Sequence, residues 1–283
     1  MSTVDWPDFN DLWDYNDPAG TERKFRSLLP DAEKSGGSYQ LQLLTQIART
    51  LGLQKKFPEA HQLLDEVQEK MAGGDVVEVR YLLERGRTLN SSGQPELAVP
   101  LFKQAVEIGR RIGADFYVVD ALHMLGIAAP AEEQLDWNFQ AIKYAEGSPD
   151  ERAKRWMGSL YNNAGWTLYD QKRYVEALDL FKKAQAFREA QGGEEGIRIA
   201  RWCVAKTLRV MGQPQQALAM QRQLETTGKS DGFIEEEIAE CLYALGEIAE
   251  SKPYFRTAYE ALSQIDWVAE DAQRLERLKS LAD

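Results

Sequence analysis

The sequence predicts an all-α protein, a solenoid built from helix pairs. Three observations predict it. Ala and Leu supply 63 of the 283 residues whereas Val and Ile supply 24, and β-branched side chains are what strands select. A triplet of buried-type residues at i, i+4, i+7, the spacing of one helical face, returns along the chain. A small residue ahead of six of the seven triplets returns on much the same period. Two anchors that keep step replace the two domains suggested by length with one continuous array.

The clearest unit is SLYNNAGWTLYDQKRYVEALDLFKKAQAFRE, residues 159–189, read as two helices broken at Asp170–Arg173. Its second helix carries Ala177/Phe181/Ala184. The same triplet is read as Thr21/Phe25/Leu28, Ala60/Leu64/Val67, Ala98/Phe102/Ala105, Leu135/Phe139/Ile142, Ala217/Gln221/Leu224 and Ser251/Phe255/Ala258, with middle residues 39, 38, 37, 42, 40 and 34 apart. The small first-helix residue falls at Ala48, Gly86, Gly126, Gly165, Ala205 and Ala239. The resulting units are 5–36, 38–72, 75–113, 115–147, 153–192, 194–229 and 232–264, closed by a capping helix over 267–282. Pro58, Pro95 and Pro214 stand at the start of second helices, where a missing N–H is harmless. Pro100 and Pro253 lie a turn further in and predict a bent or late-starting helix. The N-terminal DWPDFNDLWDYNDP, five Asp with Trp6, Phe9, Trp13 and Tyr15, is expected to cap the first unit on Phe25 and Leu28. A sharper reading has it competing for the groove of the array.

A large residue, then a small one, then Ala-x-x-x-Phe-x-x-Ala resembles the tetratricopeptide repeat, over roughly residues 5–264. That family's period is 34; the longer intervals here fit about one extra turn of 3.6 residues and longer joins. The stretch LYNNAGWTLYDQKRYVEAL looks like the repeats of kinesin light chains, and the long units are also similar to peptide-regulated bacterial repeat proteins. The resemblance implies a right-handed α-solenoid of antiparallel helix pairs whose first helices line a concave groove. It places Arg49, Arg80, Arg87, Asn90, Asn162, Trp166, Tyr169, Trp202, Lys206 and Arg209 in that groove as peptide-binding residues. Without the last unit, the implied surface holds five basic side chains and two acidic ones, Asp120 and Asp170. An extended, acidic peptide is the partner this implies. The constellation that clamps chaperone tails falls here on His123, Ile127, Asn163, Ile199 and Cys203, so that ligand is not expected.

The remaining chemistry argues against other classes. A net charge of −11 speaks against nucleic acid. The acidic first residues are not a signal peptide and no apolar run reaches membrane-spanning length. Two cysteines suit a reducing, cytoplasmic setting. No phosphate loop, HExxH, GxSxG or paired CxxC is present. His61 and His123 stand far apart, Cys203 and Cys241 read as small buried residues, and Glu235, Glu236, Glu237 and Glu240 read as a solvated acidic face. No catalytic residue, metal or cofactor is expected. The first reading is a non-catalytic adaptor or scaffold. A signalling-peptide or small-ligand sensor, and a self-associating scaffold, stand as alternatives.

Overall fold

A computed structural model describes residues 6–35, 37–227 and 231–283. Asp5 of the N-terminal segment, and the unit edges expected at 5, 36 and 229, lie outside the described residues. The chain divides into two compact units, Met1–Trp156 and Met157–Asp283.

The first unit holds α1 (Phe9–Leu12), α2 (Pro18–Ser35), α3 (Ser38–Leu53), α4 (Phe57–Lys70), α5 (Val76–Ser91), α6 (Pro95–Ile112), α7 (Asp115–Ala128), α8 (Ala131–Gly147) and α9 (Glu151–Lys154). The second holds α10 (Met157–Asp170), α11 (Tyr174–Gln191), α12 (Glu194–Val210), α13 (Pro214–Thr227), α14 (Phe233–Ala244), α15 (Ile248–Leu262), α16 (Asp266–Ala269) and α17 (Ala272–Ala282). Within each unit the successive long helices pack on one another, and first helices also touch across a pair: α3 on α5, α5 on α7, α12 on α14. The helices are short-looped pairs whose apolar stripe is buried by the next helix, the arrangement of a tetratricopeptide-type solenoid.

The periodic small residue has a direct steric cause. A Cβ on Gly86 would lie 2.5 Å from the Phe102 ring, and one on Gly165 2.6 Å from the Phe181 ring. Phe25, Phe102, Phe181 and Phe255 are fully buried, and truncating such a ring to Ala costs about 3–5 kcal/mol. The turns repeat as well. Residues 54–56, 92–94, 171–173, 211–213 and 245–247 each join two helices, and the central residue is left-handed every time: Lys55 (φ 60°), Gly93 (81°), Lys172 (60°), Gly212 (79°) and Gly246 (80°). Glycine meets this demand without strain; the two lysines adopt it at a cost of about 1–2 kcal/mol each.

One pair departs from the pattern and corrects the expected triplet Leu135/Phe139/Ile142. Phe139 is 42% exposed, while Asn138 is fully buried and sits against Gly126. α7 ends two residues after Gly126, because Pro130 keeps residue 129 extended. The small residue precedes the buried one by 16 positions in the other pairs (Gly86 to Phe102, Gly165 to Phe181) and by 12 here. Four residues are about one helical turn, so the face is preserved with Asn138 in it. Two further expectations change. α6 and α15 start at Pro95 and Ile248 and run through Pro100 and Pro253, so no late start occurs. Each ring removes one bond to a first-turn carbonyl, where the helix is still loosely tied. The cap is α17 alone, starting at Ala272 behind Asp271, whose side chain accepts the Arg274 N–H at 3.1 Å. It buries Leu278 and Ala282 against the α15 side of the unit.

Candidate functional site

The second unit contains an open cavity of about 980 Å³. Its floor is a ladder of rings from successive helices: Trp166 on α10, Trp202 on α12, Phe233 on α14 and Trp267 on α16. Neighbouring centroids are 5.9, 6.2 and 5.7 Å apart. The indole N–H of Trp202 donates to the Phe233 carbonyl at 3.2 Å, which fixes its tilt. Ile199 and Trp267 line the same space and are 44% and 63% exposed.

The cations of this groove are all spoken for. Lys206 Nζ donates to Glu237 Oε1 at 2.5 Å, and Arg209 Nε donates to Glu237 Oε2 at 2.7 Å. Arg198 pairs with Glu195 and Asp231, Arg274 Nε reaches Glu236 at 2.8 Å, and Arg277 Nη2 reaches Glu240 at 3.1 Å. Five cations therefore meet five carboxylates among the described residues. Burial pushes the Glu237 carboxyl up, but Lys206 and Arg209 outweigh it and hold it below the usual carboxylate range. The basic excess counted without the last unit is thus met, in the second unit, by acids that include Glu236 and Glu240 of that last unit and Glu237 beside them.

This corrects the reading of the glutamate run as a solvated face. Glu235, Glu236 and Glu237 are 5%, 7% and 1% exposed. They turn inward because each finds a donor: the Gly232 N–H for Glu235, Arg274 for Glu236, and Lys206 with Arg209 for Glu237.

In the first unit the implied groove residues are built into a charge cluster. Arg87 Nη1 donates to Glu84 Oε1 at 2.7 Å and its Nη2 donates to Asp120; Arg49 stands 3.6 Å from the same Glu84 oxygen. Burial opposes the Asp120 charge, yet Arg87 and Arg49 hold its carboxyl low. Burial, together with Arg87 and Arg49, brings His123 down to about 4 against the pull of Asp120, with the ring 4.9 Å from Trp156.

Over this cluster lies the N-terminal segment. Trp6 stacks on Tyr39 at 4.4 Å, Phe9 and Trp13 meet Phe25 edge-on at 6.0 and 5.4 Å, and Trp13 Nε1 donates to Gln46 Oε1 at 2.9 Å. The Arg49 guanidinium sits 5.4 Å over Trp13 and 5.5 Å over Tyr15; that of Arg80 sits 4.8 Å over Phe9. The segment packs on Phe25 and, in the same pose, covers Arg49 and Arg80. The cavity left beside it is about 60 Å³.

Of the ten residues implied by the resemblance, Trp166, Trp202, Lys206 and Arg209 come together in the second unit's cavity, and Arg49 and Arg80 under the N-terminal segment. Arg87 is held in the charge cluster. Tyr169 leans on Trp166 at 5.1 Å, Asn162 Oδ1 accepts the Cys203 thiol at 3.5 Å, and Asn90 lies in the last turn of α5 and lines neither cavity. Burial raises Cys203 and Cys241 to about 12. Glu237, Arg198, Arg274, Arg277 and Trp267 were not anticipated. Trp267 on α16 and Arg274 and Arg277 on α17 come from the terminal stretch, whose sequence advertises only a polar helix.

Among the described residues no group of three or more His, Cys, Asp or Glu could hold a metal ion, and no helix is long and apolar enough to cross a membrane.

Helix pairing and turn chemistry together give a fold of the tetratricopeptide type. The family model described as tetratricopeptide repeat matches residues 158–190, the unit that is clearest by eye. No curated protein matches the chain in sequence. Solved structures share its fold. The apo form of RapI superposes with a TM-score of 0.71 at 12% identity, covering 91% of this chain and 76% of RapI. A signal-transduction ATPase with a tetratricopeptide repeat sensor from Pyrococcus horikoshii gives 0.71 at 16%, covering 94% of this chain but only 42% of that one. NprR in complex with its cognate peptide NprX gives 0.57 at 15%, covering 96% and 80%.

Proposed function

We propose that this chain is a non-catalytic adaptor, working in the cytoplasm, that takes a segment of a partner protein in the cavity of its second unit. The observation that carries this reading is the open ladder of Trp166, Trp202, Phe233 and Trp267 inside a frame of ion pairs. Large amphipathic rings beside guanidinium groups are what recognition surfaces enrich. A cavity of about 980 Å³ takes several side chains of a peptide. Because the cations are already matched, affinity rests on an apolar or aromatic anchor. Carboxylates of the partner orient it by competing with Glu236 and Glu240 for Arg274 and Arg277. This refines the acidic peptide expected from the sequence: charge sets direction and rings set affinity.

Neutral His123 and thiols raised by burial support the non-catalytic part, since neither offers an activated nucleophile or a base poised near pH 7. Two buried, unpaired thiols also suit a reducing compartment. The likeness to NprR, solved with its cognate peptide, supports a peptide over a small solute as occupant.

Selection of binders from a random peptide display library tests it. Selected peptides should converge on an aromatic or large aliphatic anchor. The double substitution Trp267→Ala/Ile199→Ala, at exposed positions, should weaken them at least tenfold, about 1.4 kcal/mol, with helicity unchanged. Binders that ignore this variant would remove the cavity as the partner site.

A further inference from the structure

The first unit's concave face raises a separate question: why the chain covers it with its own residues. An end cap needs only to shield Phe25. The segment continues past that ring and lays Trp13 and Tyr15 on Arg49, and Phe9 under Arg80, two cations of the first helices α3 and α5. It arrives as a ligand does: one helical turn, rings at 6, 9 and 13 on one side, and five aspartates in residues 5–18 with no Lys or Arg. The cleft offers matching charge. Arg49, Arg80 and Arg87 stand against Glu84 and Asp120, which leaves one positive charge over, and Asp8 lies within the electrostatic reach of Arg152.

The hold is loose for a structural element. Among residues 6–15 only Phe9 is buried, and Tyr15 is 57% exposed. The polar ties to α3 are Trp13 Nε1 to Gln46 and the Tyr39 hydroxyl donating to the Pro7 carbonyl at 3.3 Å. The fit beneath is also incomplete. Glu84 is 3% exposed and Arg80 9%, yet Glu84 Oε2 and Arg80 Nε have no hydrogen-bond partner among the described protein groups, and both residues line the small cavity beside Trp13. A chain that donates to that oxygen and accepts from that nitrogen would be held better than the present occupant.

We propose that the concave face of the first unit is a second peptide site, held by residues 6–15 as a displaceable internal ligand. Its external ligand is a protein segment of the same chemistry: aromatic side chains three to four residues apart, set among carboxylates. The tether gives the internal segment an effective concentration of about millimolar, so a free peptide binds this site only weakly until the segment is loosened. This inference does not depend on the second unit's cavity.

The test uses the full chain and a fluorescently labelled peptide of residues 5–18, followed by anisotropy. Wild type should bind it weakly, the full-length variant Trp13→Ala/Tyr15→Ala at least tenfold more tightly, and the same variant with Arg49→Ala added no better than wild type. A Trp202→Ala background, which disables the other groove, should leave the gain in place. Three results would overturn the proposal: no gain in a folded double variant, loss of helicity on loosening the segment, or a gain that disappears with Trp202→Ala. The second would make residues 6–15 a structural cap, and the third would move the peptide to the second unit.

Discussion

Each unit holds a site lined by its first helices, and the two sites differ in who supplies the rings. In the second unit the rings stand on the helices and the cap, so the aromatic floor is permanent and the space above it open. In the first the helices supply the arginines, and Phe9, Trp13 and Tyr15 are brought by a segment outside the paired helices. What the two share lies one layer deeper: a buried carboxylate from the next first helix that answers a cation of the previous one, Asp120 for Arg87 and Glu237 for Lys206 and Arg209. The shared layer holds the frame together, and the layer that differs is the one a partner would meet.

Substitutions at the shared layer should have the largest effect. Glu237→Ala leaves two cations without their anion, and Asp120→Ala takes from Arg87 one of its two carboxylates, leaving Glu84; breaking a buried pair costs about 3–5 kcal/mol. Urea titration of each variant should show losses of similar size. A large cost for one and none for the other would break the parallel between the units. The pH sign follows from the depressed carboxyls. Both have folded values below their unfolded ones of 3.8 and 4.5, so this stabilisation is complete above about pH 5 and is lost as pH falls through the folded values.

A histidine-driven acid response in the first unit should come next. His123 is held at about 4 against an ordinary 6.5. Between those values the unfolded chain binds a proton that the folded chain refuses, so stability rises with pH across this window and is complete above it. The full difference is up to about 3 kcal/mol. His61, lowered by burial and then by Arg85, acts with the same sign. His123→Gln should flatten most of the slope between pH 6.5 and 4, read from denaturant midpoints. An unaltered slope would show that the ring titrates freely in the folded protein.

The smallest expected effect is a gain. Gln221 occupies the place held by Phe102, Phe181 and Phe255 in other pairs. It is fully buried, and neither amide atom has a partner among the described residues. Gln221→Leu should stabilise the second unit by about 1–2 kcal/mol, visible as a higher calorimetric midpoint. A loss instead would mean that the amide is satisfied in solution.

The helices and their buried faces were legible because packing imposes a period, and a period survives in one sequence. Where the period was edited the reading slipped: the shortened α7 drew attention to Phe139, an aromatic at nearly the right place, and away from Asn138. The site was half legible for a related reason. Trp166, Trp202, Lys206 and Arg209 could be assigned by position within a repeat. Glu237 could not, because its partners lie on the preceding first helix and its neighbours in sequence look like a hydrated acidic run. Trp267, Arg274 and Arg277 follow the repeats, so no repeat position points to them. The N-terminal rings announced packing, but the placement of Trp13 and Tyr15 over Arg49 depends on how α3 meets the segment in space.

The tryptophans make both grooves visible without a label. Trp166 and Trp202 lie 5.9 Å apart, close enough for their indole transitions to couple, and Trp267 is 63% exposed at the mouth of the same cavity. A ligand that covers Trp267 excludes water from it and moves its emission to the blue. Departure of the N-terminal segment hydrates Trp6 and Trp13 and moves theirs to the red. Filling one groove and emptying the other therefore change the colour of the protein in opposite directions, and a single cuvette distinguishes them.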